Sequence, residues 1–121
     1  MTLRALLKKV TTSQDDIDHK KLLEFCARTG VTTTIGAMEP RKEATVAGQI
    51  ASLRIVPSST GSPWLEATVQ DGTGTLVVLW TGRRRIAGVR PGAKLIVSGR
   101  PTPAGRTGRP TLYNPVYELL A

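Results

Sequence analysis

The chain has 121 residues, 17 of them Lys or Arg against 9 Asp or Glu, for a formal net charge of +8, and a single cysteine. That length allows one domain with a real core and one appended helix, with no need of a disulfide or metal to fold. Cys26 alone excludes an internal disulfide and any multi-cysteine metal site. The first apolar group, Leu3, Leu6, Leu7 and Val10, is interrupted by Arg4, Lys8 and Lys9. It is too short and too charged for a signal peptide, and no later run approaches a membrane span, so a soluble cytoplasmic protein is expected.

In chain order, the helical spacing of Leu3 to Val10 predicts a short helix over 1–12. Ser13 with Asp16 resembles an N-cap, and Asp15, Asp16 and Asp18 put negative charge in a first turn. A second helix then runs through Leu22, Phe25 and Cys26 to a stop at Gly30. Its apolar stripe must bury against one end of whatever follows, so residues 1–40 read as a helical cap. His19 reads as solvated and Cys26 as core, since neither has a partner cluster.

Residues 41–121 read as β-structure. A first strand over Ala44–Val56 has Val46 and Ile50 on one face, then Leu53 and Ile55 one step out of phase. Such a slip predicts a bulge or sharp bend near Gly48 to Ser52. After an uncharged turn-rich loop, a second strand over Trp64–Gln70 alternates with Leu65, Ala67 and Val69 inward. Asp71-Gly72-Thr73-Gly74 then signals a hairpin turn into a third strand, Thr75–Thr81, apolar on both parities. Gly82 to Gly92 reads as a connection with one helical turn at Arg85 to Gly88. A fourth strand covers Ala93–Arg100, and a fifth Thr111–Leu119, where Pro115 implies an edge or bulged strand. Five strands with an early bend, an insertion between the third and fourth, and a helix at one end predict a five-stranded OB-fold barrel, with a split barrel of another topology as the alternative.

The charge is unevenly placed. Residues 1–40 are nearly neutral, whereas 41–121 hold eleven basic and four acidic side chains, with no acid between Gly72 and Tyr117. One-signed charge on one segment is the footprint of a polyanion binder. Cations suit phosphates, and flat rings suit unpaired bases. Trp64 shares parity with Glu66 and Thr68 and is the better stacking platform. Trp80 shares the parity of Leu76 and Val78, which favours the core, and stands as the second candidate. Arg83, Arg84 and Arg85 form the densest cationic loop, and Arg41, Lys42, Arg54, Lys94, Arg100, Arg106 and Arg109 extend the track. Tyr117 reads as closing the barrel, and Tyr113 is unassigned. Phosphate contacts position a ligand without reading sequence, so low specificity and a steep salt dependence are expected. Asp71 reads as a turn residue, and the remaining carboxylates, His19 and Cys26 make no acid–base or nucleophile arrangement, so no enzyme is expected.

Val46-Ala47-Gly48-Gln49-Ile50, Asp71-Gly72-Thr73-Gly74 and Pro91-Gly92 with Leu95 to Gly99 resemble the nucleic-acid-binding OB-fold superfamily that includes anticodon-binding domains. Asn114-Pro115-Val116-Tyr117-Glu118 resembles the closing strand of the wedge domain of RecG-type helicases. Trp80 through Gly92 is similar to small stand-alone actinobacterial OB-fold proteins. The resemblance covers about residues 41–119. It implies a nucleic-acid-binding module and not a helicase. Taken with the charge and the aromatics, the expected ligand is single-stranded DNA before RNA, with no cofactor. No phosphate-cradling P-loop run is present to drive a motor. The rival reading is a protein-interaction module or an accessory subunit of a larger complex. If Arg83 to Arg85 share a groove with Trp64, nucleic acid is favoured; opposite faces favour the rival.

Overall fold

The computed structural model describes residues 20–102 and 108–120. The expected helix over 1–12, the acidic cap at Ser13 to Asp18, His19 and Arg106 lie outside them. Strands β1 (Ala44–Val56), β2 (Trp64–Gln70) and β3 (Thr75–Thr81) form an antiparallel meander rich in Val, Ile and Thr, the residues that suit a pleated, half-buried surface. The first half of β1 also pairs with β4 (Lys94–Gly99). In β1 the register to β2 shifts between Ile50 and Ser52, leaving Ala51 bulged. The expected phase slip is this bulge. It keeps Val46, Ile50 and Leu53 all facing the interior while the strand turns from one partner to the other.

Gly48, paired with Leu95 of β4, lies just before the bulge where β2 comes close. A Cβ there would lie 2.7 Å from Val69 Cγ1 and 2.9 Å from the Gln70 carbonyl oxygen. The carbonyl belongs to the ladder and cannot rotate away. Gly48→Ala is therefore expected to cost roughly 1–3 kcal/mol of stability, the range for overpacking a dense core. Urea unfolding checks it, and a loss below about 0.5 kcal/mol would show that β1 bends freely there.

The closing strand departs from expectation. It is split into β5 (Thr111–Tyr113), parallel to β3, and β6 (Val116–Leu119), antiparallel to β4. The hydrogen-bonded order is β5-β3-β2-β1-β4-β6, so the sheet has six strands and no ladder joins its two ends. The closed five-stranded barrel is thus replaced by a curled, open, broadly OB-fold-like sheet. The cause lies in Asn114-Pro115. Asn114 takes a left-handed backbone, φ 47°, and its side chain replaces a rung of ladder to β3. Its Oδ1 accepts from Thr81 N–H at 3.0 Å, and its Nδ2 donates to Thr81 Oγ1 at 3.1 Å. Pro115 has no N–H to continue. The chain leaves β3 there and crosses to β4. Across the gap, the Trp80 and Tyr117 rings meet edge to face with centroids 5.6 Å apart.

Ile86 and Val89, both buried, plug one end of the core from the β3–β4 connection. That connection makes two tight turns, with Val89 N–H donating to the Ile86 carbonyl and Ala93 N–H to the Arg90 carbonyl. Gly88, at φ 80°, makes the first a tight turn in place of the expected helical one. A helix, α1, covers residues 20–28, and Gly30 ends it with φ 81°. It lies on the outside of β1 and β4. Cys26 donates its thiol hydrogen to the Ala47 carbonyl at 3.5 Å, and Lys94 Nζ stands 4.5 Å from the Phe25 ring centre. Burial pushes the Cys26 thiol above its ordinary value, the Asp71 charge adds to this, and Lys94 opposes it.

Between α1 and β1, one turn of 3-10 helix at Ile35–Ala37 is latched to the hairpin turn. Asp71 is 2% exposed. Its Oδ2 accepts from Ile35 N–H at 2.9 Å, and its Oδ1 accepts from Thr73 N–H, Thr73 Oγ1–H and Gly74 N–H at 2.9, 2.6 and 3.2 Å. Gly36 N–H donates to Thr73 Oγ1 at 3.0 Å. Asp71 is a turn residue, as its place in the sequence implies, and it also ties the connector to the hairpin. No helix among the described residues is long and apolar enough to cross a membrane.

Candidate nucleic-acid interface

Alternation along β2 puts Leu65, Ala67 and Val69 in the core and Trp64, Glu66, Thr68 and Gln70 on the outer face. Opposite them in register on β3 stand Thr81, Leu79, Val77 and Thr75. Tyr113 of β5 pairs with Leu79 from the other side, outward because its neighbour Leu112 fills the core. The Trp64 and Tyr113 rings meet across β3 at 6.2 Å between centroids and 89° between planes. Leu79 beside them is only 8% exposed although it points outward, so both parities of β3 are covered. Tyr113 itself remains 50% exposed. An aromatic pair with open ring surface on a rigid sheet is what base stacking requires.

The cationic candidates fall into distinct places. Arg83, Arg84 and Arg85 follow β3 directly, and all three are exposed. Gly82 N–H donates to the Pro63 carbonyl at 2.9 Å, which ties this loop to the residue before Trp64. Arg84 lines a cleft of about 290 Å³ with Ile55, Pro57, Ser58, Gly61 and Pro63. The arginine loop and Trp64 therefore share one end of the same sheet. At the other end of β3, Arg41 N–H donates to the Pro101 carbonyl at 2.8 Å, which places it beside Arg100. Arg109 precedes Pro110, whose carbonyl accepts from Val77 N–H at 2.9 Å. Seven residues of β3 put about 20 Å between the two cationic ends.

Other candidates are engaged elsewhere. Trp80 is 4% exposed and packs in the core, its Nε1–H without a hydrogen-bond partner. Parity with Leu76 and Val78 favours the core and packing decides it, so Trp80 offers no stacking surface. Lys94 lies under α1 against Phe25, off the β2–β3 face. Lys42 pairs with Glu39 at 3.5 Å on an exposed turn. Arg54 pairs side-on with Glu66, Nε to Oε1 at 3.1 Å and Nη2 to Oε2 at 3.3 Å. The residue that sequence reasoning left unassigned is Tyr113. Its outward parity was legible only once β5 was known to end at Asn114. Among the described residues no three His, Cys, Asp or Glu side chains gather as a metal site.

No protein-family model matches the chain, and no curated protein does. Among solved structures it is similar to the replication factor A related protein from Methanobacterium thermoautotrophicum, determined in solution by NMR. The identity is 19%, the TM-score 0.55, and the match covers 74% of this chain and 90% of that one. At that identity the likeness is one of fold. It carries the OB-fold expectation and does not extend to the helicase-wedge or actinobacterial groups.

Proposed function

We propose that this protein binds single-stranded nucleic acid, DNA before RNA, across the outer face of β2, β3 and β5, and performs no chemistry on it. The observation that carries this reading is the adjacency of the Trp64–Tyr113 ring pair to the Arg83–Arg85 loop at one end of the sheet. Rings take bases, and the arginines take the phosphates that follow them. Arg41, Arg100 and Arg109 continue the path at the far end. Arg106, outside the described residues, is included from the sequence as part of the same basic stretch. The fold likeness to a replication factor A related protein points the same way.

The test is fluorescence anisotropy with labelled single-stranded DNA, duplex DNA and single-stranded RNA of one length at two salt concentrations. Single-stranded DNA is expected to bind best, with a log–log salt slope of about −0.7 per phosphate contact. Changing Arg83, Arg84 and Arg85 together to Gln is expected to shrink the slope by about 0.7 for each phosphate those arginines neutralise. Absence of binding at low salt would reject the reading. The protein-docking alternative would then rest on β6, where Val116 is 77% exposed and Tyr117 and Leu119 are each 37% exposed along an end strand of the sheet.

A further inference from the structure

We infer that Arg54 reads a guanine base and does not serve as a phosphate contact, with Glu66 holding its guanidinium in the reading pose. This rests on the single-strand reading above. Arg54 and Glu66 are register partners on β1 and β2, and both point to the outer face. Their pairing through Nε and Nη2, at 3.1 and 3.3 Å, is two-point and side-on. It uses the Nε–H and one Nη2–H. The two Nη1 hydrogens and the second Nη2 hydrogen form the opposite edge of the fork, and among the described residues nothing occupies that edge. The Arg54 side chain is 70% exposed and that of Glu66 only 19%, so a ligand meets the guanidinium first, with the carboxylate as its buttress.

Two physical consequences decide what that edge can recognise. A phosphate approaching Arg54 meets a nearly neutral pair, whereas Arg83 to Arg85 offer uncompensated charge close by. A base edge with two adjacent acceptors meets two parallel donors already fixed in position. Guanine O6 and N7 are such acceptors, and adenine and thymine do not present that pair. Cytosine has adjacent acceptors on a smaller ring that stacks less well. Glu66 follows Trp64 by two residues on the same face, about 7 Å along the strand. A base next to the one stacked on Trp64 therefore arrives at Arg54.

The experiment compares anisotropy binding of oligothymidine carrying isolated guanines at regular intervals with the same oligomer carrying adenine, cytosine or 7-deazaguanine there. Isolated guanines exclude quadruplexes, and 7-deazaguanine removes only the N7 acceptor. The guanine oligomer is expected to bind at least about fivefold tighter than the others. Arg54→Lys is expected to abolish that preference and leave the salt slope unchanged. Glu66→Gln is expected to weaken the preference and to steepen the slope by about 0.7, as a released arginine finds a phosphate. The pair is at the surface, where such bridges contribute about 1 kcal/mol or less, so both variants stay folded, as circular dichroism would verify. A wild type indifferent to guanine, or one that favours cytosine equally, overturns the inference. So does an Arg54→Lys variant whose slope falls while its preference stays. Failure of every oligomer to bind would overturn the single-strand reading itself.

Discussion

Asp71→Ala is expected to destabilise the fold by about 3–5 kcal/mol. The carboxylate is buried and accepts four hydrogen bonds, all from neutral donors. Three of them shape the β2–β3 turn, and the fourth, from Ile35 N–H, fastens the connector to it. Ile35 is 3% exposed, so its N–H would lack a partner in a place water does not reach. Hydrogen bonds to a charged group contribute about 1.5–3 kcal/mol, and a buried donor left without a partner costs about 1–3. Asp71→Asn separates the turn from the connector. The amide oxygen can still organise Thr73 and Gly74, but its NH₂ then faces the Ile35 N–H, donor against donor. Unfolding in urea should rank wild type above Asn and Asn above Ala. Equal stability of the two variants would mean that the connector is held by packing alone.

The second large effect concerns the ligand. Trp64→Leu is expected to weaken single-strand binding by roughly 5- to 150-fold, the 1–3 kcal/mol of one stacked base. Leucine keeps apolar cover beside Leu79, so the weakening reports stacking more than folding. Trp64→Phe should restore most of the affinity. The salt slope is the internal control: removing a stacking ring leaves phosphate contacts in place, so the slope should equal that of the wild type. A Trp64→Leu variant with a reduced slope would mean that the ring positions the arginine loop and does not hold a base. Tyr113→Leu, tested in the same way, should give a smaller effect of the same kind.

Much of this architecture was legible in the residues. Strands β1, β2 and β3 begin and end where alternation and turn chemistry place them, because the Asp71 to Gly74 turn and the Pro57 to Pro63 loop mark their ends clearly. The bulge was legible because one extra residue inverts the facing of everything after it. The divided closing strand was only half legible. Pro115 announced a defect, but that the Asn114 side chain would replace a rung of ladder depends on Thr81, 33 residues earlier. On a strand apolar on both parities, the parity rule favoured the core for Trp80, and packing decided it. The fate of the cations was least legible. Charge counts treat Arg54, Lys94 and Arg83 alike, whereas Glu66, Phe25 and open solvent respectively receive them once the strands are in register.

The divided strand also sets the order in which the molecule can assemble. The β1–β2–β3 meander needs only short hairpin closures, and such local contacts form early. β5 must find β3 in parallel, and β6 must find β4, and neither pairing has a tight turn to guide it. Both ladders are supplied by one stretch, Thr111 to Leu119. Until it docks, β3 and β4 each present an open row of N–H and C=O groups, the template on which chains pair wrongly with one another. The segment that completes the native sheet thus covers two inner edges at once, and slow docking would lengthen the exposure of both.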